Sequence, residues 1–185
     1  MTKFRFVQTE PGTHGSYDLC YTYAFLVEFD DARNGKPCKL KYIVRAEVFT
    51  DVFAIKFYAS RDRKGADNKY SIGHGQISVQ GVFGILNTTL EIMLDLLKKF
   101  PEYSFIIKGA EAYDPATKKE EDEYENQRFR IYRSFLAKNI GTTAFTHFQF
   151  PEISVYLLVN NKSGLPANDK KDEIMEHFKA IYELQ

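Results

Sequence analysis

The 185-residue chain has no tryptophan, two cysteines, four histidines and a formal net charge of zero, and each shortage removes a class of function. Lys+Arg and Asp+Glu balance at 25 each, so no net field draws nucleic acid or an anionic membrane to the surface, and either would need a local patch. No window approaches the roughly eighteen uncharged apolar residues of a membrane span. The start, Met1-Thr-Lys-Phe-Arg-Phe-Val-Gln-Thr-Glu-Pro-Gly12, has no apolar h-region, so the expectation is a chain neither exported nor inserted in a membrane. His14, His74, His147 and His177 are scattered, and neither Cys20 nor Cys38 has a partner at ligand spacing, so no metal is expected. A Gly-x-Ser-x-Gly elbow and a P-loop are missing as well.

Aromatic rings are abundant: 16 Phe and 12 Tyr favour half-buried pleated surfaces and predict much sheet. A hydrophobic fraction of 44% and a charged fraction of 27% over this length predict one globular domain spanning residues 1–185. Residues 17–29, 39–50 and 52–60 read as three successive strands, with turn residues 30–37 between the first two. In the second strand Leu40, Tyr42, Val44, Ala46 and Val48 alternate with Lys41, Arg45 and Glu47, which predicts one apolar and one mostly polar face. Cys20 and Cys38 begin the first two strands, so an antiparallel pairing sets them apart as free thiols, as in a cytoplasmic protein.

Residues 79–100 carry Val82, Leu86, Leu90, Met93, Leu97 and Phe100 at three- and four-residue steps, which predicts a long amphipathic helix with Phe83 largely buried on the border of that stripe. Pro101 stops it, and residues 103–108 read as a strand buried on both faces. The acidic stretch 111–126 reads as a solvated loop. A second helix over 125–139 turns Phe129, Tyr132, Phe135, Leu136 and Ile140 inward and ends at Gly141 as its left-handed residue. Two aromatic strands, 144–150 and 153–159, precede a last helix over 170–184 capped by Asp169. The predicted fold is α+β: one twisted antiparallel or mixed sheet, packed by a long central helix with two further helices.

The segment 72–84 links a strand to the longest helix and carries Gly73, Gly75, Gly81 and Gly84. Free N–H groups at a helix start favour anions, and glycine lets a phosphate approach the backbone. Equally, Gly73 and Gly75 can form a turn, and Gly81 and Gly84 can let the helix pack closely on the sheet. The order strand, glycine-bearing loop, helix, buried strand, helix and two strands over residues 69–159 resembles the core of the GNAT acetyltransferases. That resemblance implies acetyl-CoA resting on Gly73, Gly75, Gln80, Gly81 and Gly84, although the family's Gln/Arg-x-x-Gly-x-Gly/Ala loop, started at Gln80, meets Phe83 and Ile85 where its glycines fall. Arg130-Ile-Tyr132-Arg-Ser-Phe is similar to the family's tyrosine-bearing helix and implies Tyr132 as a general acid; the same tyrosine also reads as a core residue. The pairing of residues 83–101 with Arg128-Phe-Arg-Ile-Tyr-Arg133 also resembles an uncharacterised group of small Bacteroidota proteins, which implies a bacterial, cytoplasmic setting and no particular activity.

Arg128, Arg130 and Arg133 could form an anion-binding strip for phosphate or single-stranded nucleic acid, or a solvated face paired with the acidic stretch 120–125. No nucleophile with a base, no carboxylate pair and no ligand cluster stands out. The expectation is therefore a non-catalytic binding or interaction module without a cofactor, its partner another protein or a second copy of the chain, which the residues do not identify. An acyl-CoA-dependent transferase, taking acetyl-CoA, is the first alternative, and phosphate or single-stranded nucleic-acid binding the second.

Overall fold

Leu40, Tyr42, Val44, Ala46 and Val48 are all buried on one face of a sheet, as their alternation requires. The structure, a computed structural model, describes residues 3–12, 16–62, 77–114 and 119–182. Along the chain run β1 (Phe4–Pro11), β2 (Leu19–Asp30), β3 (Pro37–Phe49), β4 (Val52–Ala59), α1 (Val79–Lys99), β5 (Ser104–Lys108), β6 (Tyr113–Asp114) and β7 (Lys119–Glu120). Then come α2 (Gln127–Asn139), β8 (Phe145–Phe150), β9 (Val155–Asn160) and α3 (Ala167–Tyr182). The fold is α+β: a seven-stranded mixed sheet in the order β1-β2-β3-β4-β5-β9-β8 with three helices, and β6 and β7 form a separate two-stranded hairpin.

β1 to β4 pair in sequence order as an antiparallel meander. The connection from β4 to β5 contains α1, and a crossover of that length lets β5 run parallel to β4. Residues 4–11 escape a sequence reading because their alternation is broken: a bulge at Val7 shifts the register, and most of this edge strand is exposed. Cys20 lies opposite Glu47 and Cys38 opposite Phe29, so the two thiols sit at opposite ends of the β2–β3 ladder and are free.

Both faces of the sheet are covered. The face bearing Val44, Phe53, Phe105 and Tyr156 packs against α1 and α2, and the face bearing Val52, Ile106 and Leu157 packs against Ile174, Met175 and Phe178 of α3. β5 and β9 are therefore buried on both sides, which is why they read as unbroken apolar runs.

Several expectations change in three dimensions. α1 is turned about its axis: Ile85, Thr89, Ile92 and Leu96 lie at the centre of its buried face, Val82, Leu90 and Leu97 are half-buried, and Phe83 is 50% exposed rather than buried. Glycine causes the rotation. A Cβ at Gly81 would lie 2.9 Å from Phe29 Cγ and one at Gly84 3.3 Å from Val27 Cγ1, so the glycine side of α1 lies along β2. Thr88 and Thr89 bury beside it because their hydroxyls donate to Gly84 O and Ile85 O, both at 2.9 Å.

The acidic stretch is solvated as expected at Glu120, Asp122 and Tyr124, but it is more than a loop. Beyond the β6–β7 hairpin, Glu121 accepts from the Gln127 and Ala112 N–H groups at 2.6 and 3.2 Å, and Glu123 holds Lys108 at 2.6 Å. Gly141 is not left-handed, because the chain leaves α2 extended at Ile140 (φ −114, ψ 121). α3 starts three residues earlier than expected: the Lys170 N–H already donates to Pro166 O, which puts Asp169 inside the first turn instead of at the cap.

Candidate functional site

β4 and β5 pair at Val52 with Ser104, Phe53 with Phe105 and Ala54 with Ile106, and there the ladder stops, although β4 continues to Ala59 and β5 to Lys108. Local chemistry accounts for the parting. β4 stays with β3 along its whole length, as far as Ala59 opposite Tyr42. β5 is drawn the other way: Gly109 N–H donates to Ser154 O at 2.9 Å, and Asn126, the N-cap of α2, donates from Nδ2 to Gly109 O at 2.5 Å. Asn126 Oδ1 accepts from Phe129 N–H at 2.9 Å, and its own N–H donates to Ser154 Oγ at 2.9 Å. Glycine is required in this clasp, since a Cβ at 109 would fall 2.5 Å from Asn126 Oδ1 and 2.7 Å from Phe129 N.

The strands border, with α1 and α2 above them, a narrow apolar crevice with about 10 Å³ of free space. β4 contributes Phe57, β5 Ile107, α1 Leu90 and Met93, and α2 Tyr132 and Phe135. Thr89 also borders it, but its hydroxyl is spent on Ile85 O. Tyr132 is thus the side chain that brings an available polar group to an apolar lining. Its ring meets Phe57 edge-on at 5.6 Å, and burial, opposed by the charge of Arg128, pushes its phenol up to about 12. At neutral pH it is an uncharged donor.

Outside the crevice, Val79, Phe83 and Leu94 of α1 are 73%, 50% and 51% exposed, and Phe83 faces Phe135 of α2 at 6.4 Å. Steps of four and seven put these residues and Leu90 on one side of the helix, so the apolar surface of α1 continues from its buried face round to an exposed one.

The residues singled out from the sequence are dispersed. Gly73 and Gly75 lie outside the described residues. Gly81 and Gly84 pack on β2, and the Gly81 N–H donates to the capping Ser78 Oγ at 3.3 Å. Gln80 is exposed and borders a separate surface cleft with Glu28, Asp30, Cys38 and Lys39, where Lys39 pairs with Glu28 at 2.5 Å. The arginines diverge around α2. Arg130 donates to Glu125 O at 2.5 Å, and Arg133 pairs with the Glu125 carboxylate, the partner its spacing predicts. Arg128 stands one turn before Tyr132 on α2, and its charge acts on the phenols of Tyr132 and Tyr42.

A second constellation occupies the opposite face of the sheet, the mostly polar face that the alternation in β3 predicts. Glu47 is 4% exposed; its Oε2 accepts from Lys56 Nζ and from the Tyr182 hydroxyl, each at 2.6 Å, and its Oε1 lies 3.4 Å from Arg45 Nε. Arg45 also reaches Glu10 at 2.5 Å and donates to the Tyr17 hydroxyl at 2.7 Å. Two carboxylates and two cations balance, and burial lowers the Lys56 ammonium and pushes the neighbouring Cys20 thiol up to about 11. The bonds point inward, to one another.

No family model, curated protein or solved structure matches this chain. Among the described residues no group of three metal-ligating side chains occurs, and no helix is long and apolar enough to cross a membrane.

Proposed function

We propose that this chain is a non-catalytic binding module whose site is the crevice between the parted strands β4 and β5. One observation carries the reading: an apolar crevice opens where the ladder stops after Ala54 and Ile106, and the exposed apolar stripe of α1 leads into it. Such a lining desolvates an apolar group and orients it with one phenol; it offers neither a nucleophile nor a general base. Its free space is about 10 Å³, room for one water, so an apolar group enters only where the side chains that line it give way. A cytoplasmic setting belongs to the same proposal, supported by the two free thiols.

Because the chain has no tryptophan, Phe83→Trp places a lone reporter on the exposed rim. With this variant 1-hexanol is expected to shift the indole emission saturably in the low millimolar range, since burying about six methylene-sized groups at roughly 0.8 kcal/mol each is largely offset by the cost of association. Leu90→Glu in the same background should abolish saturation. A linear shift that is identical in both proteins removes the crevice as a site.

A second reading, an acyl-CoA-dependent transferase of the GNAT kind, is supported by the strand order and by the parallel β4–β5 pair that parts beside Tyr132. Calorimetry with acetyl-CoA separates the two. The binding-module reading expects no saturation up to about 1 mM, the span in which enzyme substrates ordinarily bind. A micromolar dissociation constant with acyl transfer that is lost in Tyr132→Phe would replace it.

A further inference from the structure

The two edges of the seven-stranded sheet, β1 and β8, are built differently. β1 is guarded in the ways that keep an edge from pairing further: it is bulged beside Val7 and carries Arg5 and Glu10. β8, Phe145-Thr-His-Phe-Gln-Phe150, has no charged residue, no proline and an unbroken register against β9. Its histidine adds no charge at neutral pH, because burial lowers the His147 pKa, and Nδ1 lies 2.8 Å from the Tyr156 hydroxyl inside the protomer. The Asn161 N–H donates to Ala144 O at 3.0 Å and so extends the β8–β9 ladder by one hydrogen-bonded pair. Such pairs alternate, so Thr146 and Phe148 bond to β9 while the N–H and C=O groups of His147 and Gln149 point away from the sheet. Among the described residues nothing donates to or accepts from those four groups.

We infer that β8 is the docking edge for a second copy of this chain, the two strands pairing antiparallel about a twofold axis at Phe148 so that the sheets join. The inference does not depend on the crevice. In that register Phe148 meets its counterpart, Phe150 meets Thr146 and His147 meets Gln149, which are aromatic, aromatic to β-branched and polar pairs, and the outward groups of His147 and Gln149 bond to one another across the axis. A foreign strand could satisfy the same backbone groups, but these side chains are complementary to themselves. Two copies also approach without net repulsion, since the formal charge is zero. Lys171, the cation 5.5 Å from the Phe148 ring, brings its own counterion, Asp172, at 3.0 Å.

Sedimentation of the wild type from about 1 μM to about 1 mM is expected to show a monomer and dimer in equilibrium with a micromolar dissociation constant, the weak end for protein interfaces. Gln149→Pro removes an outward N–H and no bond within the protomer, so it should weaken the dimer at least tenfold and leave melting of the monomer unchanged. In a Cys38→Ser background, with Cys20 buried, Phe148→Cys should crosslink two copies on oxidation, because residues directly opposed at a non-hydrogen-bonded site lie about 4.5 Å apart between Cα atoms. Gln149→Cys, which meets His147, should not. A wild type that stays monomeric at the highest concentration overturns the inference and leaves the edge to a strand of another protein. A dimer that persists in a folded Gln149→Pro overturns it too, and loss of that dimer in Leu94→Glu would place the contact on the exposed side of α1. If Gln149→Pro fails to fold, the cysteine variants decide: crosslinking through Gln149→Cys and not Phe148→Cys overturns the pairing.

Discussion

Single side chains carry most of the electrostatic stability that can be tested. Glu47 is buried with both carboxylate oxygens occupied, so Glu47→Ala strands the charges of Arg45 and Lys56 in a desolvated place. Removing one member of a buried ion group costs about 3–5 kcal/mol, and chemical denaturation of Glu47→Ala is expected to fall in that range. A cost under about 1 kcal/mol would mean that water already reaches the cluster. Asp31 behaves differently because it titrates. Hydrogen bonds from the Arg33 guanidinium, at 2.8 and 3.1 Å, and from its backbone N–H at 2.9 Å hold the carboxyl at about 2. Its folded value lies below its unfolded one, so its contribution is present above about pH 4 and is lost as pH falls toward 2. Melting curves of wild type and Asp31→Asn should therefore differ at pH 5 and converge near pH 2; a constant gap would show that the carboxylate acts only through shape.

At the scale of elements, α1 shows how glycine sets a packing direction. Gly81→Ala gains helix propensity of about 1 kcal/mol but drives a methyl to 2.8 Å from Ile77 Cγ2 and 2.9 Å from the root of the Phe29 ring. Overpacking of this kind costs about 1–3 kcal/mol, so a net loss of stability is expected, and a gain would mean the helix can lift off β2 without penalty. Met93→Ala, at 2% exposure, should cost about 2–5 kcal/mol, whereas Leu90→Ala should cost less because Leu90 is half-buried. Thermal unfolding of the pair ranks the two faces directly. Apart from β1, β6 and β7, the strands and helices were legible in the sequence, with ends mostly displaced by one to three residues, because alternation and helical stripes are written in local spacing. The facing of α1 was misread because of glycine and threonine: a hydropathy pattern gives them little weight, yet here they form the surface that approaches β2.

For the whole molecule, charge balance and the dispersal of the arginines bear on the nucleic-acid alternative. Arg130 and Arg133 both turn to Glu125, so neither Arg130→Ala nor Arg133→Ala is expected to change retention on heparin at low salt. Clear retention of the wild type that drops in both variants would restore the anion-binding strip. The sequence by itself determined the α+β class, the apolar face of β3, the separation of Cys20 from Cys38 and the end of α1 before Pro101, since each follows from steric and hydropathic rules acting over a few residues. Tertiary structure alone decided that β4 and β5 part after three pairs, that Tyr132 stands in the opening, and that Glu47 joins Lys56 and Tyr182 beneath α3. Those outcomes depend on contacts between distant segments, such as Asn126 on Gly109 and Tyr182 on Glu47, and no local periodicity records which strand will let go of its neighbour.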